Sequence, residues 1–342
     1  MKIIKVKTCF IGFGKRVKTF YYPILTKLNQ DFDIVGYTNR SNIKNNNISI
    51  PFYAGIQNLI NQTQPNLIIL SVPGDSLLTA LRQVPDINAI VLVDTPVTFN
   101  IKGFNNLKIF ALEQWPYLPI EQFKKILIDS KILGNVFYAE NDGRTFEYHG
   151  IAQLRNYFPS NKLITNIYGT SISRPEETWN ISTVKFSDNT GFLYKFSYFA
   201  KKSKFRTNQM LKTYLNNGSI ISGCLHSKGY DYEIFKISKN NNGDVSHLDV
   251  DIKRNNNIID NKDTSYHSGN NYYEIESISC TIDNNQLIWN NPFVNKKFND
   301  QEIAIATIFI NTKKLILNEK YELYSAKKAF EDLTVIRHIQ SL

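Results

Sequence analysis

Two glycines near the N-terminus could bind a phosphate group. The apolar run Ile3–Ile11 stops abruptly at Gly12-Phe13-Gly14, and a helix-like pattern begins directly afterwards. A strand that enters a glycine turn and then a helix presents free backbone N–H groups and the positive end of the helix dipole, which suit the pyrophosphate of a dinucleotide. The match to the usual glycine fingerprint is partial, because Val17 stands at the third glycine position. An ordinary strand-to-helix turn is the alternative.

Two basic residues, Lys15 and Arg16, follow the glycine turn immediately. They could reach the phosphates of a bound nucleotide, or they could be solvated residues of the first helical turn. Both interpretations remain open from the sequence.

The next polar group, Thr38-Asn39-Arg40-Ser41, ends the second apolar run. An acid at this place would accept hydrogen bonds from both ribose hydroxyls and would repel a 2′-phosphate. Asn39 carries no such charge, whereas Arg40 and Ser41 could bind the phosphate through a charge-assisted pair and a hydroxyl donor. The segment therefore favours NADP (NADPH) over NAD, and a plain surface turn is the alternative.

Acid–base chemistry has its best candidate in His149, within Glu147-Tyr148-His149-Gly150 and before a helix predicted over 151–158. A histidine can pass a proton to a developing alkoxide or amine near neutral pH. A helix-capping or packing histidine is the alternative. Tyr148 and Tyr117 are reserve proton donors, and Arg144 and Arg155 could hold an anionic substrate.

The first third of the chain alternates strand and helix signals, which predicts a parallel sheet. Strands are predicted to end at Ile11, Thr38, Val72, Val93 and Leu112, with a further short strand over 50–53. Ligands of such sheets bind outside the carboxyl ends of the strands. The residues at those ends are Gly12, Thr38, Pro73, Asp94 and Glu113. Asp94 and Glu113 could do acid–base work there, although Glu113 could equally organise the backbone.

The pattern changes after a predicted helix over 120–130. Stretches of alternating apolar and polar residues separated by hairpin cues predict antiparallel strands, so we expect an α+β second domain. Residues 239–271 are rich in Asn, Asp and Gly and are predicted to form long hairpin loops. Helices over 302–317 and 325–339 close the chain.

Composition limits the classes of function. The chain has 342 residues and a formal charge of +10, but its lysines are dispersed and no arginine-rich or aromatic-basic motif occurs, so nucleic acid is not the expected partner. The longest apolar runs are too short for a membrane span. Three widely spaced cysteines, Cys9, Cys224 and Cys280, have no metal-ligand spacing and indicate buried thiols in a reducing compartment, so we expect a cytoplasmic protein.

The order of these motifs resembles the Gfo/Idh/MocA family of NAD(P)-dependent oxidoreductases. Ser71-Val72-Pro73 is similar to the family's strand-four segment ending in proline, and the segment 113–119 is similar to its passage into the second domain. Gly134-Asn135-Val136 resembles its helix-to-strand turn, and the segment 324–333 its C-terminal helix. The resemblance implies an α/β Rossmann domain with a parallel doubly wound sheet, followed by an α+β domain with a large, mostly antiparallel open sheet. We place the domains at 1–118 and 119–322, with the helix of 323–342 packing back on the first.

The resemblance also implies roles for particular residues. Val72, Pro73, Asp94, Pro96 and Glu113 join the glycine turn and the Asn39-Arg40-Ser41 segment as the cofactor-binding set. The family typically has Glu-Lys-Pro after strand five, where this chain has Asp94-Thr95-Pro96. Thr95 therefore replaces the lysine that serves positioning and proton transfer. A threonine hydroxyl can orient a substrate but is a poor general acid.

These expectations combine into an NADP-dependent oxidoreductase that transfers a hydride between nicotinamide and a small polar carbonyl or imine substrate, which could be anionic. His149, Thr95 and Tyr148 are its candidate catalytic residues, and the resemblance implies a homo-oligomer through the antiparallel sheet. The alternative, motivated by the missing lysine, is a catalytically inactive relative that acts as a nucleotide-binding sensor or assembly subunit. We expect no metal site and no membrane association.

Overall fold

The structure is a computed structural model, which describes residues 5–41, 48–104, 106–142, 147–159, 162–174, 177–197, 208–227, 230–258 and 273–341. The chain forms two compact units. The first comprises Met1–Gln114 and Ala304–Leu333, and the second comprises Trp115–Ile303 and Thr334–Leu342. Most of the helix that begins at Asp300 thus belongs to the first unit, whereas the predicted second domain runs to residue 322.

A five-stranded parallel sheet is the centre of the first unit. Its order is β2-β1-β3-β4-β5, and the five strands are β1 (Val6–Ile11), β2 (Phe32–Thr38), β3 (Leu67–Leu70), β4 (Ile90–Val93) and β5 (Lys108–Ala111). Every residue of β3 and β4 is buried, as expected for interior parallel strands covered on both faces. The strand order reverses between β1 and β3, so their carboxyl ends border the crevice in which ligands of such sheets bind.

The strand predicted over 50–53 is shorter than expected. It reduces to a single bridge between Tyr37 and Phe52. Pro51 has no N–H group to donate to a neighbouring strand, which limits the pairing to this one position.

The helices of the first unit follow its strands in the usual alternation. A π-helical turn, Val17–Tyr21, continues as α1 (Tyr22–Lys27), and α2 (Ile56–Thr63) and α3 (Gly74–Leu81) follow β2 and β3. A helix later in the chain is tied to this unit by an ion pair of 2.7 Å between Lys313 and Asp31. The segment before the last helix extends the β5 edge, since the Ala111 N–H donates to the carbonyl oxygen of Tyr324.

An eight-stranded sheet dominates the second unit. Its order is β13-β12-β11-β10-β6-β9-β8-β7, and all its neighbouring strands are antiparallel except β6 and β9. The strands are β6 (Val136–Asp142), β7 (Ile164–Arg174), β8 (Glu177–Phe186), β9 (Gly191–Ser197), β10 (Asn208–Leu215), β11 (Gly218–Ser227), β12 (Tyr230–Asn241) and β13 (Asp244–Leu248). The large, mostly antiparallel sheet predicted from the sequence is therefore confirmed.

A smaller sheet and two helices complete the unit. The sheet has the order β14-β15-β16, formed by Val250–Ile258, Tyr273–Ile282 and Asn285–Asn290. Helix α4 (Pro119–Ser130) packs on β15 and β16, and α5 (Glu147–Arg155) packs on β6 and β9. Two long helices, α6 (Asp300–Ile316) and α7 (Ala326–Ser341), close the chain.

The prediction of loops over residues 239–271 was wrong for the part that the structure describes. Strands β13 and β14 occupy 244–248 and 250–258, and residues 259–271 lie outside the described residues. The residues of β13 are exposed on both faces except for the half-buried Leu248, so the strand lacks the apolar alternation by which strands are recognised. Strands β7, β10 and β16 were not among the predicted strands either.

A fully buried ionic cluster lies between α4 and β11. Lys124 and Glu121 form an ion pair of 3.4 Å, and neither side chain is exposed. The Tyr157 hydroxyl donates to the Glu121 carboxylate and accepts from the Lys124 ammonium, which also donates to Ser222 Oγ at 3.2 Å. Because both charges are removed from water, each depends on the other for compensation.

No described helix is long and apolar enough to cross a membrane, and the described residues hold no group of three metal-ligating side chains. Cys9 and Cys280 are both buried free thiols, and burial raises the pKa of Cys9 to about 12.

Replacement of Lys124 tests the buried cluster. We expect Lys124→Met to lower the free energy of unfolding by about 3–5 kcal/mol, because Glu121 would stay buried without its cation. Chemical denaturation measures the change. The control is Lys125→Met on the same helix, whose ion pair with Asp129 is exposed and should contribute less than about 1 kcal/mol. Equal effects of the two substitutions would contradict the buried pairing.

Candidate functional site

The two glycines of the turn after β1 have different surroundings. Gly12 has φ +87°, and a Cβ there would lie 2.1 Å from the carbonyl oxygen of Ser71. Its N–H donates to the carbonyl oxygen of Thr38 at 2.9 Å, so this glycine lets the ends of β1, β2 and β3 meet. A Cβ on Gly14 would have no neighbour among the described atoms within 4 Å. The turn therefore has a packed side at Gly12 and an open side at Gly14.

Phe13, between the glycines, belongs to the core. Its ring is buried and contacts Phe10, Tyr22 and Tyr37, with ring centroids 5.3, 5.7 and 4.6 Å away. These aromatic contacts hold the turn against the core. Any contribution to ligand binding must come from its backbone.

The two basic residues after the turn differ in their surroundings. Lys15 is exposed, whereas Arg16 is half-buried against its own helix. The Arg16 Nε–H donates to the Tyr21 hydroxyl at 3.2 Å, and its guanidinium carbon lies 4.7 Å from the centre of the Phe20 ring. Lys15 is thus the freer of the two charges to meet a phosphate group.

The end of β2 presents a mixture of buried and exposed polar groups. Thr38 is buried, and its hydroxyl oxygen has no hydrogen-bond partner among the described residues. Asn39 is half-buried and accepts a hydrogen bond from the Ser41 hydroxyl at 3.0 Å. Arg40 and Ser41 are exposed. This edge therefore offers one guanidinium and several neutral polar groups, and its described residues include no carboxylate.

The segment after β3 closes another side of the crevice. Val72 is half-buried and Pro73 is exposed, and α3 begins at the next residue. The Thr98 hydroxyl donates to the carbonyl oxygen of Gly74 at 2.8 Å, which fixes the start of that helix. The Thr95–Pro96 peptide bond, which precedes Thr98, is cis.

Asp94, directly after β4, accepts hydrogen bonds from three parts of the unit. Tyr21 Oη donates to Oδ1 at 2.6 Å, Ser71 Oγ donates to Oδ2 at 2.8 Å, and the Thr95 N–H donates to Oδ1 at 3.0 Å. Burial raises the pKa of Tyr21 well above its usual value, and the Asp94 charge raises it further. Sequence reasoning selected Asp94 but missed Tyr21 and Ser71.

Two polar residues follow β5. Glu113 is buried, with an exposed fraction of 1%, and is held by neighbouring groups. Gln114 is also buried, and its side-chain oxygen has no hydrogen-bond partner among the described residues. The burial of Glu113 agrees with the role in organising the backbone that was left open from the sequence.

In the second unit, His149 lies within α5 rather than before it. The predicted helix started at residue 151, whereas α5 begins at Glu147. Gly150 weakens the local helix propensity and hid this first turn. The imidazole ring is half-buried, 5.9 Å from the Trp115 ring and 4.3 Å from the Tyr148 ring, measured between centroids. Of the two candidate anion-binding residues, Arg155 ends α5 and Arg144 lies outside the described residues.

The first unit has the features that a dinucleotide requires. The crevice at the reversal of strand order receives the open side of the glycine turn, an exposed arginine follows β2, and the Thr38 hydroxyl oxygen is left without a partner. The chemistry of these residues fits the pyrophosphate and the ribose of a dinucleotide.

Comparison with known proteins gives a result for the fold. At the level of sequence, no protein-family model and no curated protein matches the chain. Solved structures match over almost its whole length. An oxidoreductase from Thermotoga maritima has a TM-score of 0.58 at 14% identity and covers 98% of this chain and 96% of its own. The chain has the fold of the Gfo/Idh/MocA oxidoreductases.

Other proteins with this fold have different stated activities. UDP-N-acetylglucosamine 3-dehydrogenase GnnA from Acidithiobacillus ferrooxidans matches with a TM-score of 0.62 at 9% identity, covering 99% of this chain and 97% of its own. The transcriptional regulator Gal80p from Kluyveromyces lactis matches with 0.63 at 11% identity, covering 100% and 92%. At such identities the likeness establishes the fold alone. The predicted oligomer, cytoplasmic location and residue roles stay predictions.

The different surroundings of the glycines can be tested by one substitution at each. Gly12→Ala should lower the free energy of unfolding by about 3 kcal/mol, since the new methyl group would overlap the Ser71 carbonyl at an unfavourable φ. Gly14→Ala is the control and should change it by less than about 1 kcal/mol. Thermal or chemical denaturation measures both. A Gly12→Ala protein as stable as Gly14→Ala would refute the close approach of β1 and β3.

Proposed function

We propose that the chain is an NADP-dependent oxidoreductase that transfers a hydride between nicotinamide and a small polar substrate with a carbonyl or imine group. The observation that carries this proposal is the glycine turn at the reversal of strand order. Gly12 brings the strand ends together there, and Gly14 leaves the space beside the first helical turn open. Backbone N–H groups at such a place bind a pyrophosphate.

Each part of the dinucleotide has candidate residues. The backbone of Gly12-Phe13-Gly14 and the Lys15 side chain would hold the pyrophosphate. Arg16, bonded to the Tyr21 hydroxyl, would lie next to them. Asn39, Arg40 and Ser41 would hold the ribose and its 2′-phosphate. Val72, Pro73 and Pro96 would shape the nicotinamide pocket, beside Asp94 and Glu113. The bound nicotinamide would supply the hydride acceptor or donor.

The chain's own residues would handle the substrate and its proton. His149 would transfer or stabilise the proton, with Tyr148 as its neighbour, and Thr95 would orient the substrate through a hydroxyl hydrogen bond. Since Thr95 carries no positive charge, a readily protonated acceptor such as an imine suits this site better than a sugar alcohol. Arg155, at the end of α5, would hold an anionic substituent of the substrate.

A second function is favoured by the same threonine. A chain that keeps the nucleotide crevice but lacks the family's lysine could act as a nucleotide-binding sensor or assembly subunit. A protein named as a transcriptional regulator has the same fold, which supports this second function.

Nucleotide titration tests the proposal. NADPH should bind and change its fluorescence, and Gly14→Ala should raise the dissociation constant at least about tenfold, because its methyl group would take the space left for the pyrophosphate. Gly103→Ala is a matched control, since a Cβ at that exposed glycine also meets nothing within 4 Å. Absence of binding by the wild type to both NADPH and NADH would refute the proposed function. Binding of NADPH without turnover of any candidate carbonyl or imine would favour the sensor.

The choice of NADP over NAD is tested at Arg40. Arg40→Ala should weaken NADPH binding about 10- to 100-fold, the range expected for the loss of hydrogen bonds to a charged group. Its effect on NADH should stay within about twofold, because NADH lacks the 2′-phosphate. Isothermal titration of both cofactors measures the ratio. A parallel loss of both affinities would contradict the assignment of the 2′-phosphate to Arg40.

A further inference from the structure

The Asp94 carboxylate joins the segments that border the crevice of the first unit. Its three donors come from the helix after the glycine turn (Tyr21), from the end of β3 (Ser71) and from the backbone of the next residue (Thr95). This one side chain thus links the residue before Pro96 to the helix after the glycine turn and to the end of β3.

The way in which Tyr21 reaches Asp94 follows from the local sequence. Pro23 has no N–H group, and its ring crowds the carbonyl four residues earlier, so a regular helix cannot pass through it undisturbed. Immediately before it, the Tyr22 N–H bonds to the carbonyl oxygen of Val17, five residues back. This π-helical turn adds a residue to the helical repeat, and π turns of this kind are frequent at functional sites. It ends at Tyr21, whose side chain points to Asp94.

The Tyr21 hydroxyl uses its hydrogen-bonding capacity in both directions. It donates to Asp94 and accepts from the Arg16 Nε–H, so the residue after the glycine turn and the residue after β4 are joined through a single oxygen. The side chain is completely buried, and its pKa is raised well above the usual value by burial and by Asp94. The hydroxyl therefore remains a hydrogen-bond donor throughout the working pH range and cannot itself meet a substrate.

We propose that Tyr21 is a positioning residue, whose hydroxyl holds Asp94 and thereby fixes the Thr95–Pro96 segment against the nicotinamide half of the cofactor. This inference rests on the proposed function. The adenosine half would be held at the end of β2, by groups that Tyr21 does not contact. Loss of the hydroxyl should therefore affect the two halves of the cofactor unequally, whereas a general loss of structure should affect both.

The test compares Tyr21→Phe with Tyr22→Phe. Both changes remove one hydroxyl and keep the ring, and Tyr22 lies next in sequence, with its ring against Phe13. Dissociation constants are measured for NADPH and for adenosine 2′,5′-bisphosphate, which carries only the adenosine half. If the wild type prefers NADH, then NADH and 5′-AMP replace them.

We expect Tyr21→Phe to weaken NADPH binding about tenfold and to leave the fragment's affinity within about twofold, while Tyr22→Phe alters neither. Asp94→Asn should give the same unequal loss, and the double variant should be no worse than Asp94→Asn alone, because both changes act on the same Tyr21–Asp94 hydrogen bond. Circular dichroism checks that each variant is folded. If Tyr21→Phe does not fold, the loss of NADPH affinity relative to the loss of fragment affinity in Asp94→Asn tests the inference instead. Equal loss for NADPH and the fragment, or no loss for either, would overturn the inference while NADPH binding by the wild type leaves the proposed function standing. Failure of the wild type to bind any nucleotide would overturn both.

Discussion

The close approach of β1 and β3 at Gly12 is the constraint on which the first unit depends. A methyl group there would lie 2.1 Å from the Ser71 carbonyl oxygen, so the glycine allows two neighbouring strands to end at the same level. Because the strand order reverses at this pair, the crevice between the helices on either side opens there. The Ser71 hydroxyl also donates a hydrogen bond to Asp94, which links the end of β3 to the end of β4.

The second unit is stabilised in another way. Its large sheet is covered by α5 over β6 and β9, while α4 brings an ion pair into contact with β11 through Ser222. Burial of two charges is justified energetically only when both are fully compensated, as the Tyr157 hydroxyl and Ser222 allow here. Such a cluster is directional, so it favours one arrangement of α4 on the sheet where apolar packing alone would tolerate several. His149 is carried by α5 on the same sheet, which gives its imidazole a fixed support.

The parallel sheet could be predicted from the sequence because its interior strands are continuous apolar runs. β3 and β4 are buried at every residue and stand out against any neighbouring segment. The edge strands β7 and β13 could not, since they are polar or exposed on both faces and owe their conformation to the partner strand. The expectation that ligands bind at the carboxyl ends of the strands identified Asp94 from the sequence, but it did not identify Tyr21, which donates a hydrogen bond to it. The proline at position 23 was the available signal, because it predicts a disturbed helix whose inward-facing residue departs from the regular repeat.

The surroundings of Asp94 also narrow the chemistry. From the sequence, its carboxylate could have been an acid–base group; in the structure both of its oxygens accept hydrogen bonds from Tyr21, Ser71 and Thr95. Thr95 adds a hydroxyl without charge, and Tyr21 is buried and retains its proton. The groups described around Asp94 thus suit orientation better than proton transfer. Under the proposed function, the proton that accompanies hydride transfer would come from the substrate itself or from His149, whose residue type fits that task. An imine satisfies this constraint more readily than a neutral carbonyl, since it can enter the site already protonated.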